Sequence, residues 1–142
     1  SLFFSCLSLN SLSIANCETS SNKDSSNMFR NCKSLEKLNL SMFDTSHIYK
    51  MDYMFSGCNS LTDLYLKSFD TSEVISMMYM FDSCTKIKEL DISSFNTQKC
   101  DKFTGIFSNI KNMTVIINSS IASNLKNEIQ NIVDIKDVAE LV

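Results

Sequence analysis

Apolar side chains return every 26 residues along most of this chain. Leu9, Leu35, Leu61 and Ile87 form one column, Leu12, Leu38, Leu64 and Leu90 a second, and Ile14, Leu40, Leu66 and Ile92 a third. Met28, Met54, Met80 and Ile106 form a fourth, and Phe29, Phe55, Phe81 and Phe107 a fifth. Cys6, Cys32, Cys58 and Cys84 keep the same interval. Self-similarity at this period marks a chain of stacked supersecondary units, each burying its apolar face against its neighbours. Within a unit, the stretch Asp63 to Lys67 alternates polar and apolar, the period of a half-buried strand. Leu64 and Leu66 are expected inside, with Asp63, Tyr65 and Lys67 outside. The same pattern at Lys37 to Ser41 and Glu89 to Ser93 predicts matching strands. Strands that recur in one sense must pair in parallel, so a single long sheet is expected along one side. Its strands should centre on Leu12–Ile14, Leu38–Leu40, Leu64–Leu66, Leu90–Ile92 and Val115–Ile117.

After each strand the sequence reads Phe43-Asp44-Thr45-Ser46, Phe69-Asp70-Thr71-Ser72 and, loosely, Phe95-Asn96-Thr97-Gln98. Asp, Thr and Ser oxygens accept from free backbone N–H groups, which suits a turn or a helix N-cap. Val74, Met77, Met80, Phe81 and Cys84 then follow at steps of three and four, predicting one or two short helical turns opposite the sheet. The columns fail after Ile117. Ile121, Leu125, Ile129, Ile132 and Val133 carry a helical period preceded by Asn118-Ser119-Ser120, polar residues available to cap it. A last short strand is expected at Val138 to Val142.

The motif Met-Phe-x-x-Cys-x-x-Leu-x-x-Leu-x-Leu-x-x-Phe-Asp-Thr-Ser-x-Val/Ile-x-x-Met runs nearly intact from Met28 to Met51 and from Met54 to Met77. From Met80 to Phe103 it holds with Asn96 for Asp and Cys100 for Val. Residues 1–27 are degenerate, with Cys17 for Phe and Asn22 for Val. This motif resembles the BspA-like leucine-rich repeat of surface proteins, repeats of the Mycoplasma-lipoprotein-associated type. The resemblance covers about residues 3–117. With the periodicity it sets the expected fold class: a right-handed α/β solenoid, a leucine-rich-repeat array of about four and a half units. Residues 1–117 would form the repeats and residues 118–142 a C-terminal helical cap, since terminal repeats need a cover with a polar outer face.

Composition narrows the function. A formal net charge of −3 with no basic cluster argues against nucleic acid. No apolar run approaches the roughly 20 residues that span a bilayer. The chain opens partway through a unit, as expected of a piece of a longer protein. All six cysteines fall in apolar columns, which predicts buried thiols. Stacking at roughly 5 Å would also permit a disulfide between Cys32 and Cys58. A single His and no Cys-x-x-Cys give no zinc pattern, and no metal or cofactor is expected. His47 lies in a turn matched by Glu73 and Lys99, without an evident nucleophile beside it. The Met columns have core spacing rather than that of an adaptable binding surface.

No catalytic constellation is legible, so a non-enzymatic protein-interaction module is expected. The outward strand positions Lys37, Asn39, Asp63, Tyr65, Lys67, Glu89 and Asp91 are its candidate binding face. They vary in charge while the inward Leu and Ile do not. Tyr65, an aromatic between charged neighbours, is the candidate anchor. The resemblance implies surface display and a host or neighbouring-cell protein as partner. Two alternatives stay open: a structural spacer with a merely solvated face, and a repeat region attached to an enzyme outside this chain.

Overall fold

A computed structural model of the chain describes residues 5–13, 21–130 and 134–137. Strands β1 (Ser11–Ser13), β2 (Lys37–Asn39), β3 (Asp63–Tyr65), β4 (Glu89–Asp91) and β5 (Thr114–Ile117) come in chain order, followed by helix α1 (Ser123–Ile129) and strand β6 (Asp134–Asp137). Each strand occurs where its unit alternates polar and apolar. Leu38 pairs in parallel with Leu12 and with Leu64, a register of one repeat. The strands β1 to β4 are three residues long, shorter than expected. They stop before the second inward column, yet Leu40, Leu66 and Ile92 remain buried. Ile14 and Cys17 lie outside the described residues.

The expected single sheet is in fact two, ordered β1-β2-β3 and β4-β5-β6. No pairing joins β3 to β4, so Leu64 and Leu90 are not in hydrogen-bonded neighbouring strands. The ladder breaks without separating the units because other bonds hold them. Phe29, Phe55, Phe81 and Phe107 form a continuous buried stack, with successive ring centroids 5.7, 5.7 and 5.3 Å apart. On the turn side the N–H groups of Tyr53, Phe55 and Gly57 donate to the carbonyls of Met78, Met80 and Asp82, at 2.8, 2.9 and 2.8 Å. Those of Tyr79, Phe81 and Ser83 repeat the pattern to Thr104, Ile106 and Ser108. Isolated parallel bridges run Asp24 to Lys50, Lys50 to Ser76 and Ser76 to Lys102. Three of these bonds cross from the third unit to the fourth, level with the gap in the sheet.

The predicted helical turns are hydrogen-bonded turns instead, with no α-helix in these stretches among the described residues. Two columns explain this. Asn27, Tyr53, Tyr79 and Gly105 have φ of 61, 57, 55 and 65°, and Asn31, Gly57, Ser83 and Asn109 have 60, 76, 62 and 59°. A left-handed residue every fourth position ends each nascent helix and turns alternate N–H groups toward the next unit. The periodic Met and Phe spacing therefore reports burial, not helix.

The Asp-Thr-Ser segments cap turns rather than helices. Asp44, Asp70 and Asn96 each accept the N–H two residues on, at 2.9, 2.9 and 3.1 Å. The buried threonines reach across instead: Thr45 Oγ1 accepts from the Asp70 N–H (2.7 Å) and donates to the Asp70 carbonyl (3.0 Å). Thr71 does the same at Asn96, at 2.8 and 2.9 Å.

At the C-terminal end, α1 is shorter than expected and takes no side-chain cap from Asn118-Ser119-Ser120. Asn118 instead bonds its own turn at Ser120, and the Ala122 N–H goes to Thr97 Oγ1 (2.8 Å). Leu125 and Ile129 are buried in the common core. The strand here is β6, pairing with β5 in parallel, while the segment expected as a strand, Val138 to Val142, lies outside the described residues.

Candidate functional site

Backbone alternation turns the seven candidate residues away from the core. Lys37, Asn39, Tyr65, Lys67 and Glu89 are exposed, and Asp63 and Asp91 are half-buried. The split sheet divides them. Lys37, Asn39, Asp63 and Tyr65 belong to the first sheet, with Lys67 just beyond its last strand, and Glu89 and Asp91 belong to the second. Lys37 and Asp63 form an ion pair at 3.8 Å, and Glu89 one with Lys136 at 3.3 Å. Two grooves of about 290 Å³ open on this side. One runs over Leu12, Leu38, Asn39 and Tyr65 of the first sheet, and the other lies between Leu64–Lys67 and Glu89–Asp91. Tyr65 borders both.

Tyr65 differs in kind from its column-mates. Asn39 Oδ1 accepts the Ser41 N–H at 3.0 Å, and Asp91 Oδ1 accepts the Ser93 N–H at 2.9 Å, each closing the turn after its strand. A tyrosine cannot make that local bond. The residue is 64% exposed, among the most exposed large apolar residues of those described. The third unit thus gives up a turn-closing residue and presents a ring to solvent.

The cysteines take a structural place. Cys32, Cys58 and Cys84 are fully buried, Cys100 nearly so, and Cys6 half-buried; none of the five is in a disulfide. Two are also donors: Cys58 Sγ–H to the Phe29 carbonyl (3.0 Å) and Cys84 Sγ–H to the Phe55 carbonyl (3.2 Å). Burial pushes the Cys84 thiol up to about 12 and the Cys100 thiol up to about 11. The hydrogen bond shared with Cys32, together with burial, pushes the Cys58 thiol up as well. Such thiols are poor nucleophiles. His47 is exposed in its turn, where its column-mates Glu73 and Lys99 pair with each other at 2.5 Å. Among the described residues, no three His, Cys, Asp or Glu side chains stand close enough to hold a metal ion.

A second surface feature went unread in the sequence. Tyr53 and Tyr79 stack at 5.0 Å with 9° between their planes, and the Arg30 guanidinium lies over Tyr53 at 4.5 Å. The Tyr79 ring lies where a Cβ on Gly105 would stand. Asn27 and Gly105 at the ends of that column are the residues most tolerant of positive φ, and were the available signal.

The arrangement defines a β-rich protein of repeated parallel-stranded units with a solvated, mixed-charge strand face. Residues 23–140 match the model of the family described as Mycoplasma protein of unknown function, DUF285, and the chain belongs to that family. No curated protein and no solved structure matches it. Among the described residues no helix is long and apolar enough to cross a membrane.

Proposed function

We propose that this chain is a non-enzymatic protein-interaction module, a BspA-like leucine-rich-repeat solenoid displayed at a cell surface, which binds a host or neighbouring-cell protein through its outward strand face. The observation that carries the reading is Tyr65. It is 64% exposed and borders both grooves of that face, at a column position where its mates Asn39 and Asp91 close turns. A side chain that gives up a structural bond to present an amphipathic ring among charges has the chemistry of a binding anchor. Asp63, Glu89 and Asp91 beside it supply steering toward a basic partner. Unit-on-unit bonding by the Phe stack and the threonines supports the solenoid reading. Residues 118–142 are its cap: Leu125 and Ile129 close the apolar end, and Glu128 accepts the Gly105 N–H at 3.2 Å. Surface display rests on the resemblance of the repeat motif.

The test is a pull-down on the immobilised chain beside its Tyr65→Ala variant, with the captured protein then titrated against both. Tyr65→Ala is expected to weaken binding by more than about 1 kcal/mol. Its unfolding midpoint should stay unchanged, because the ring is largely in solvent. A partner that binds the Tyr65→Ala/Asp91→Asn double variant at full strength would move recognition to the turns.

A further inference from the structure

The break between β3 and β4 is a local opening with defined walls. Paired strands lie roughly 4.8 Å apart, whereas most Cα pairs between β3 and β4 lie beyond 8 Å. The burial of one column records the same opening: Leu38 and Leu90 are 1% exposed, while Leu64 between them is half-buried. The units are otherwise in register there. Phe55 and Phe81 stack at 5.7 Å, the Phe55 N–H meets the Met80 carbonyl at 2.9 Å, and Thr71 clamps Asn96 a few residues past the strands.

Parallel strands turn alternate residues' backbone groups to opposite sides. In β4 the Lys88 carbonyl accepts from Thr114 (2.8 Å) and the Ile92 N–H donates to Ile116 (2.9 Å), so this parity faces β5. Glu89 and Asp91 therefore turn their N–H and carbonyl groups toward β3. In β3 the Asp63 N–H donates to the Glu36 carbonyl (3.3 Å), which turns Leu64 toward β4. Two strand edges thus face each other across a groove of about 290 Å³, lined by Leu64, Tyr65, Leu66, Lys67, Glu89 and Asp91. One strand placed between two others needs them roughly 9.6 Å apart.

We infer that this opening is a slot for one extended segment of a partner protein, which enters as the missing strand between β3 and β4. The inference rests on the proposed binding function and gives it a mode. Main-chain bonding to both edges supplies affinity, and alternate side chains supply selectivity. The occupant carries an apolar residue pointing inward between Leu64 and Leu90. Next to it stands a basic residue pointing outward beside Asp91, while Glu89 keeps its ion pair with Lys136.

The probe is a fluorophore-labelled heptapeptide of alternating lysine and leucine, titrated by anisotropy against the chain spanning residues 1–142. A second peptide of identical sequence carries N-methyl groups on alternate backbone nitrogens, which keeps its charges and side chains but removes its donors on one edge. Saturable binding of the first peptide is expected, with at least tenfold weaker binding of the second. Hydrogen exchange read on the complex should show the amides of Leu64, Glu89 and Asp91 exchanging fast in the free chain and slowed by the first peptide. Absence of binding, equal affinity of the two peptides, or slow exchange of those amides in the free chain each overturns the slot. Equal affinity combined with weakening of both peptides by Tyr65→Ala would sink the slot while leaving recognition by the strand face standing.

Discussion

Cysteine at the fifty-eighth position is a hydrophobe that also donates a hydrogen bond, and this changes what its replacement should do. In a purely apolar column a hydroxyl would cost about 1–3 kcal/mol. The Phe29 carbonyl, 3.0 Å from the sulfur, gives it a partner. Cys58→Ser is therefore expected to cost about 1 kcal/mol or less in urea unfolding; a cost above about 2 kcal/mol would mean that the hydroxyl does not reach that carbonyl. The thiols also set a pH dependence. The folded pKa values of three of them are raised, to about 12 at Cys84, about 11 at Cys100, and upward at Cys58, while the hydrogen bond with Cys58 lowers that of Cys32. Stability from keeping those three neutral is fully present below the unfolded thiol value of about 8.5. It is lost as pH rises toward the folded values, by about 1.4 kcal/mol per pH unit for each thiol. Unfolding free energies measured from pH 7 to 10.5 should fall on the alkaline side, and replacing Cys84 by Ala should flatten that fall. Glycine has its own role at one place. Gly105 has φ +65°, and a Cβ there would enter the Tyr79 ring. Gly105→Ala is expected to cost about 2 kcal/mol, from the left-handed backbone and the displaced ring together, whereas an unchanged urea midpoint would mean that the tyrosine stack gives way freely.

At the scale of elements, the sequence reveals burial better than it reveals hydrogen bonding. Every inward column among the described residues is where the 26-residue period puts it, because burial depends only on which residues are apolar and how often they return. The Phe stack follows directly: identical side chains one repeat apart must meet once the units stack. The same columns do not distinguish helix, since steps of three and four occur in a run of hydrogen-bonded turns as readily as in a helix. The deciding signal was Asn27, Gly57 and Gly105, residues tolerant of positive φ, and it was blurred by Tyr53 and Tyr79 in the same conformation. Of the candidate face, the outward set was legible from period-2 alternation, but its division by the sheet break was not. The break depends on which interface bonds form, and no residue column encodes that. Of the C-terminal segment, a helix was legible but is shorter than its apolar period implied; β6 was not foreseen, and the strand expected at Val138 to Val142 lies outside the described residues. There the apolar residues still predict behaviour. Deleting residues 118–142 would uncover Ile106, Phe107 and Ile110, now at most 4% exposed, together with the half-buried Ile116. Losing the buried Leu125 and Ile129 with that segment forfeits about 3 kcal/mol or more of burial. Aggregation or fraying from that end is expected in size-exclusion chromatography; a monomeric truncated chain of unchanged thermal stability would make the segment an appendage.

For the whole molecule, stability of a stacked chain is approximately a sum of units and the interfaces between them, so the weakest interface decides where it opens first. The interface between the second and third units has the strand ladder, the Phe stack, the turn-side bonds and the Thr45 clamp. The next interface has all but the ladder. Two chemically equal substitutions separate the consequences. Thr45→Val and Thr71→Val each remove one hydroxyl that both donates to and accepts from a single residue of the following unit. Each should cost about 1–3 kcal/mol by leaving those backbone groups without their partner. Thr45→Val acts where the sheet is continuous, so its unfolding should remain one cooperative transition at lower denaturant. Thr71→Val acts where the sheet is already open. There the units on either side should unfold separately, giving a broadened or two-step curve and faster hydrogen exchange at Asn96 than at Asp70. Two variants with the same midpoint and one shared cooperative transition would mean that the turn side alone carries the coupling and that the break in the sheet costs the stack nothing.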